Sequence, residues 1–562
     1  MPRTLLVVTL TLLPTVQAMA DEATTAAAKE FVTGHEKRLR PLDVAAGLAW
    51  WKANTTGEKE AFKAKVAAQE KIDAALSDAR VFATLKGLHG KRADIDDAMT
   101  RRAIEVLYLL YLEKQLDAGL LKKMNELSNA VEEKFNVFRA RVDGKELSDN
   151  EVRSTLARSD DSKRLREVWE ASKAVGAVVE KDLRELVKLR NQAAKALGFK
   201  NFQEMQLRLN EQDPVKVLKL FDELDELTRE PFLAAKKEID ARLAKRYGVK
   251  EADLMPWHYH DPFFQDTPKV FDADVDEPYR KADIEKLCRE FFKGVGLPVD
   301  RVLAASDLYE KKGKSQHAFC TDIDREGDVR VLANIVPNHQ WASTMLHELG
   351  HAVYSTTGNN IPASLPYPLR AEAHILTTEG VAMMFERLAN RSAFLEKMGI
   401  PMKAPKEFGL AAAQAQKFRL LIFSRWCQVM LRFEKGMYED PDQDLNKLWW
   451  SLVEKYQGLK KPEGRDAPDY AAKIHVVVAP VYYHNYMMGE LFASQLHHAI
   501  AREVYKGANP DEVIYVGNKE VGEFMRKKVF GPGRTLDWNA LTKHATGSEL
   551  NAKAFAADFK AK

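Results

Sequence analysis

From about Asp21 to Tyr247 apolar residues recur every three or four positions in a stretch rich in Ala, Leu, Lys, Glu and Arg, and this limits the fold to long amphipathic helices. The segment VEKDLRELVKLRNQAAKALG, residues 179–198, shows the pattern. Leu183, Leu186, Val187 and the run from Leu189 to Ala193 make an apolar face, the charges between them read as solvated, and Gly198 closes the helix. Strand signals are rare. HAFCTDI (317–323), the turn DREGD (324–328) and VRVLANIV (329–336), ended by Pro337, read as one β-hairpin with Gly327 in the turn. DLMPWHYHDPFFQDTPKVFDAD (253–274) reads as an irregular strip between helical regions, and its His258 and His260 lack a third metal ligand at helical spacing. Helices resume at the segment holding His347 and continue to the C-terminus, broken around GLKKPEGRDAPD and FGPGRTLDW. The expected architecture is mostly α: one large helical domain, residues 21–562, with two helical halves around a deep central cleft and a small β-hairpin beside it.

Composition narrows the partners. Among 562 residues, 85 basic and 82 acidic side chains leave a formal charge of only +3, with no basic patch, which argues against nucleic acid or an anionic membrane as the main partner. The 45% hydrophobic content is ample for a large core. MPRTLLVVTLTLLPTVQAMADEA has a basic start at Arg3, an apolar stretch from Leu5 to Val16 and Ala18-Met19-Ala20 before Asp21, so residues 1–20 read as a cleavable signal peptide. That predicts a periplasmic or secreted protein without stable membrane insertion. Cys288, Cys320 and Cys427 allow at most one disulfide, and buried free thiols are expected. The sequence carries no signature of an oligomeric state.

The stretch WASTMLHELGHAVYSTTG, residues 341–358, holds His347-Glu348-Leu349-Gly350-His351. Histidines four apart on a helix aim their rings at one point, so His347 and His351 can share a metal ion, while Glu348 is offset and free to act on water. With 14 histidines in the chain such a pair can arise by chance. The setting strengthens it: Gly350 permits close approach of another segment, and Leu346, Leu349 and Val353 anchor the helix. Zinc in a catalytic site needs a third protein ligand and an open fourth position. The segment RAEAHILTTEGVAMMFERLANR offers Glu372, Glu379 and Glu386. Glu379 is preferred because its neighbours Leu376, Gly380, Val381, Met383 and Met384 are apolar, and a buried carboxylate needs a cation. Glu372 and Glu386 read instead as solvated partners of Arg370 and Arg387.

Further motifs carry a family resemblance. His317-Ala318 stands thirty residues before His347, and Lys473-Ile474-His475 is followed by Tyr483 and Tyr486. With the zinc motif and EKDLRELVKLRNQAAKALGFKNFQEM upstream, the chain resembles the angiotensin-converting-enzyme family of gluzincin zinc peptidases over most of its mature length. The resemblance implies one Zn²⁺ per chain on His347, His351 and Glu379, with Glu348 as general base and acid. It implies that His317 and His475 hold substrate carbonyls, that Ala318 lies on a strand able to pair with an extended peptide, and that Tyr486 stabilises the oxyanion. Lys473 and Tyr483 would hold the substrate's C-terminal carboxylate, giving a peptidyl-dipeptidase acting on short peptides.

Four departures stand out. Met383 replaces the acidic residue usual four positions after the third ligand. The interval from His351 to Glu379 is a few residues longer than usual. Asn485 stands where chloride-responsive members often carry Arg, which argues against chloride activation. The glutamine that helps hold the carboxylate has no clear counterpart near Trp257. Alternatives are an oligopeptidase or carboxypeptidase with another cleavage register, and a peptide-binding homologue without turnover.

Overall fold

The computed structural model describes residues 22–270 and 274–560. The leader read at residues 1–20 lies outside them. A single large helical domain is built on long helices, among them Glu22–Thr56, Val175–Ala196, Pro214–Tyr247 and Pro405–Glu439. Their ends follow local chemistry. Asp213 accepts the Val215 and Lys216 N–H groups with Pro214 in the first turn, and Gly248, at φ 63°, ends the same helix in the left-handed conformation. In Val175–Ala196, Leu183, Leu186, Val187, Ala193 and Ala194 are buried as the periodicity requires. Arg190 and Asn191 are buried too: Arg190 donates to the Val477 carbonyl (3.1 Å), and Asn191 donates to the Tyr438 carbonyl (2.8 Å). Here the reading of polar residues as solvated gives way to buried polar pairing.

The hairpin is present but shorter than its sequence suggests. Phe319–Asp322 pairs antiparallel with Val329–Leu332, Phe319 opposite Leu332 and Asp322 opposite Val329. His317 and Ala318 therefore precede the strand. Beyond Leu332 the chain turns to another partner, Ala333 N–H donating to the Asp307 carbonyl and Ile335 N–H to that of Leu308 (2.9 Å each). A second, three-residue pairing joins Ala140–Val142 to Lys145–Leu147 through Asp143 and Gly144, both at positive φ. The helix Glu22–Thr56 covers the first hairpin, with Trp50 4.1 Å from Phe319 between ring centroids.

Three helices converge beneath the hairpin: His339–Ser355, Ile375–Glu386 and His484–Glu503. Glycines set their spacing. A Cβ on Gly350 would lie 2.8 Å from the Ala382 Cα, one on Gly380 2.8 Å from the Gly489 carbonyl, and one on Gly489 3.1 Å from the Glu379 Cβ. The close approach expected of Gly350 is the contact that seats the second helix. All three cysteines are free; Cys288 and Cys427 are buried and Cys320 is partly so.

Candidate active site

After Pro337, Asn338 caps the helix His339–Ser355 by accepting the Trp341 N–H at 2.8 Å. More than two turns on, the His347 and His351 rings lie 4.7 Å apart, with their Nε2 atoms separated by 3.1 Å. The helix Ile375–Glu386, capped by His374 Nδ1 on the Leu376 N–H, brings a Glu379 oxygen to 3.6 Å from His347 Nε2. One ligand atom each from His347, His351 and Glu379 falls within 4.8 Å of the others, the one such group among the described residues.

The outer ring nitrogens show what this set is for. His347 Nδ1 is 2.6 Å from Glu386 Oε2, and His351 Nδ1 is 2.7 Å from Thr378 Oγ1. With Nδ1–H donated outward on both rings, two Nε2 lone pairs face one another beside a carboxylate. In the metal-free chain a proton on His347 can bridge the two nitrogens, and a metal ion can take its place, since two nitrogens on one tetrahedral zinc ion stand about 3.3 Å apart. The donor set fits zinc, with the fourth position left for water or substrate.

Electrostatics follow from burial. Burial disfavours charge on His347, but the Glu386 hydrogen bond and the charges of Glu386, Glu348 and Glu379 outweigh it and hold the imidazole up at about 9. Burial and the neighbouring His347 hold His351 well below the usual range. Burial pushes Glu348 up to about 7, opposed by His347 and reinforced by Glu379 and Glu386. Burial also raises Glu379. Glu386 goes the other way: burial is overcome by the His347 bond and by Arg419 and Arg387, which bring it down to about 2.

Glu386 corrects the sequence reading. It is not a solvated partner of Arg387, which pairs with Glu490 at 2.6 Å. It lies seven residues after Glu379, two turns along the same helix face, and bonds His347, one of the two histidines expected to hold metal, while Met383 packs beside Gly489. The i+7 spacing was the signal available for it. Glu372 likewise bonds Ser355 rather than Arg370, whose neighbours are Glu36 and Glu326. A cavity of about 650 Å³ opens beside His347 and Glu348, walled by Asp266, Ser343, Thr344, Glu386 and Arg419.

The downstream residues form a second cluster. Lys473 is only 6% exposed: its Nζ donates to Gln265 Oε1 at 2.6 Å and lies 5.2–5.3 Å from the ring centroids of Phe263, Trp426 and Tyr483. Burial lowers its pKa to about 8. Gln265, eight residues after Trp257, is thus a partner for Lys473 that the sequence reading passes over; the irregular strip hides it because no periodicity links it to Lys473. The His475 ring lies 5.0 Å from Tyr483, and its buried Nδ1 has no hydrogen-bond partner. Burial lowers His475 to about 4, so it is neutral. Tyr483 is buried, and Tyr486, half-buried, lies 5.4 Å from it. His317 is exposed, two residues ahead of its strand, and Ala318 is half-buried. His484 is buried, with Nε2 2.8 Å from Gln212 Oε1, and the same Gln212 donates to Asn485 Oδ1 at 2.7 Å. His258 and His260 are held within their loop, by Ser162 and Met255 and by Tyr247 and Lys269 respectively.

A helical fold around a His-Glu-x-x-His helix, with a glutamate from the next helix, sets out a donor group that could hold a metal ion with a further carboxylate beside it. The sequence profile of angiotensin-converting enzyme matches residues 22–253 and 257–561, and the chain belongs to that family. An angiotensin-converting enzyme of Mesocricetus auratus is 22% identical over 502 residues, covering 82% of this chain and 37% of that protein. An angiotensin-converting-enzyme-like protein of Mus musculus is 24% identical over 448 residues, covering 73% of this chain and 59% of that protein. One from Theromyzon tessulatum is 22% identical over 320 residues, 54% and 51%. The chain thus spans about a third to three fifths of the length of these relatives. Among the described residues no helix is long and apolar enough to cross a membrane.

Proposed function

We propose that this chain is an exported zinc-dependent peptidase that hydrolyses short peptides and releases C-terminal dipeptides. The observation that carries the finer part is Lys473, a buried ammonium held by Gln265 and ringed by Phe263, Trp426 and Tyr483, next to a neutral imidazole with an unpartnered nitrogen. Such a pocket suits a free carboxylate, and anchoring the peptide's end fixes how far from it the scissile bond lies.

His347, His351 and Glu379 would hold the zinc, with Glu386 and Thr378 fixing the two rings. Bound zinc supplies Lewis acidity and lowers the pKa of water. Glu348, whose carboxyl burial brings to about 7, takes the proton of the attacking water and later delivers it to the leaving amine. Tyr486 donates its O–H to the carbonyl oxygen as that oxygen gains charge. His475 and His317 donate to peptide carbonyls, and the strand after Ala318 offers main-chain pairing without strong side-chain choice. Lys473, Gln265 and Tyr483 hold the terminal carboxylate.

The test is a paired series of peptides with free and amidated C-termini, with products identified by mass spectrometry. Dipeptide release from the free series alone is expected; equal cleavage of both would sink the anchored register. Glu348→Gln is expected to abolish hydrolysis while retaining zinc, and full activity in that variant refutes the assigned role.

A further inference from the structure

The irregular strip that carries Gln265 also supplies a charge to the cleft. Asp261 pins the strip: its Oδ1 accepts the Phe263 and Gln265 N–H groups at 2.8 and 3.1 Å, and its Oδ2 accepts the Gln265 side-chain amide at 3.2 Å. Thr267 fastens the far end, its hydroxyl donating at 3.4 Å to the Ala415 carbonyl on the helix Pro405–Glu439. Between these ties Gln265 turns to Lys473, and the next residue, Asp266, lines the cavity of about 650 Å³ that opens beside His347 and Glu348. Consecutive Cα atoms stand about 3.8 Å apart, so a single step of chain separates the proposed holder of the peptide's terminal carboxylate from an acid in the cavity wall.

Asp266 lacks a counter-charge. It is accessible from the cavity, its side chain accepts the Thr267 N–H at 2.7 Å, and it forms no ion pair among the described residues. The other charges in the wall are committed. Glu386 holds His347 and Arg419, and Arg419 is divided between Glu386 and Glu490 at 3.4 Å each. His339 offers no cation: its Nε2 is 2.9 Å from Asn390 Oδ1, and burial lowers its pKa. Glu348 stands at the metal donors, where bound zinc would offset its charge. The enclosing walls desolvate Asp266 and raise it above the usual carboxylate range, outweighing the Thr267 bond and the more distant Arg419. Much of the remaining wall is polar, with Gln340, Ser343, Thr344 and Gln416, which suits a hydrophilic head group.

We propose that Asp266 is a specificity-determining residue that selects peptides with lysine or arginine among their last two residues, by pairing with the cationic head in this cavity. With the terminal carboxylate on Lys473 and the scissile carbonyl at the metal centre, the two released residues lie between those points. A cavity walled by His347 and by Asp266 can receive the side chain of one of them. A cation there supplies the missing counter-charge, whereas an acidic side chain would meet Asp266 and Glu386 with only a guanidinium that is already shared. The inference rests on the peptidase reading and its anchored register.

The test uses the full-length zinc-loaded protein and peptides with free C-termini that carry lysine, arginine, glutamate or norleucine at the last or the next-to-last position. Norleucine keeps the lysine stem without the ammonium. Products are identified by mass spectrometry and compared by kcat/KM. At one of the two positions lysine or arginine is expected to exceed norleucine about tenfold at low salt, with glutamate below both, and the ratio is expected to shrink as salt rises. In Asp266→Asn the lysine-to-norleucine ratio at that position is expected to fall to about one, and in Asp266→Lys glutamate is expected to overtake lysine. Each ratio compares two substrates on one enzyme sample, so partial unfolding of a variant cancels. Equal cleavage of lysine and norleucine peptides by the parent at both positions overturns the inference, as does a lysine preference that survives in Asp266→Asn. Dipeptide release without any such preference removes the inference alone; no dipeptide release from any peptide removes the register and the inference with it.

Discussion

Changing Glu386 to Gln tests the reading of the metal centre without touching a ligand. Its Oε2 lies 2.6 Å from His347 Nδ1 and its Oε1 3.4 Å from Arg419 Nη2. Glutamine preserves the volume and can still accept the Nδ1 proton, so the ring keeps its orientation. What is lost is the negative charge that makes His347 Nε2 a stronger donor. Loss of such an outer partner typically weakens metal affinity about 10- to 100-fold, or about 1.4–2.7 kcal/mol. Below about pH 9 the metal-free fold also loses the pairing of Glu386 with a protonated His347, so the comparison is made above that pH, where Arg419 still keeps Glu490 at 3.4 Å and is not left as an uncompensated buried charge. Competition against a chromophoric chelator measures the affinity, and thermal melting of the stripped protein measures the fold. Unchanged zinc affinity would refute the reasoning, as would an affinity loss matched by an equal loss of metal-free stability.

Gly350→Ala should destabilise the protein by about 1–3 kcal/mol, because the new Cβ would lie 2.8 Å from the Ala382 backbone, which cannot move aside without separating two helices. This exceeds the roughly 1 kcal/mol that alanine gains in helix propensity, so calorimetry should show a lower melting temperature; a higher one contradicts the packing account. Lys473, with its pKa lowered to about 8, is charged below that pH and neutral above it. For peptides with free C-termini kcat/KM should therefore fall as pH rises through about 8, and Lys473→Met should flatten that limb; the same limb in amidated peptides would exclude Lys473 as its source. Lys173 is buried with its ammonium 3.3 Å from the Phe263 ring centroid, and burial lowers its pKa to about 7. The unfolded chain then binds one more proton than the folded one from about pH 7 to the ordinary lysine value, so stability rises with pH across that window. Urea midpoints should rise less over that window in Lys173→Met, and parallel curves would show that Lys173 contributes nothing.

What could be read in the sequence was what depends on near neighbours. The two histidines and Glu348 are one helical turn of local spacing, and Glu379 stood out because its apolar neighbours imply a buried carboxylate. Glu386 was hidden by a neighbour of opposite charge: Arg387 looked like its partner, but Glu490, on another helix, takes that arginine. Lys473 stood out only through the family resemblance, and only the folded chain brings Gln265 and three aromatic rings around it. The hairpin was read too long because β-propensity continues to Val336 while the backbone beyond Leu332 pairs with residues 307–308. The short sheet around Asp143-Gly144 did carry a hairpin signal, but strands of three residues leave too little alternation to register.

The three glycine contacts at 350, 380 and 489 have a consequence for how the protein meets its metal. Helices held at fixed separation by backbone contact present their ligands at a set gauge whether or not an ion is there, so little ordering remains to be done on binding. Metal capture is then a docking event on a finished frame rather than a folding event, the opposite of a small zinc-organised domain. A chelator should silence such a protein without unfolding it, and the emptied chain should be reloadable in place.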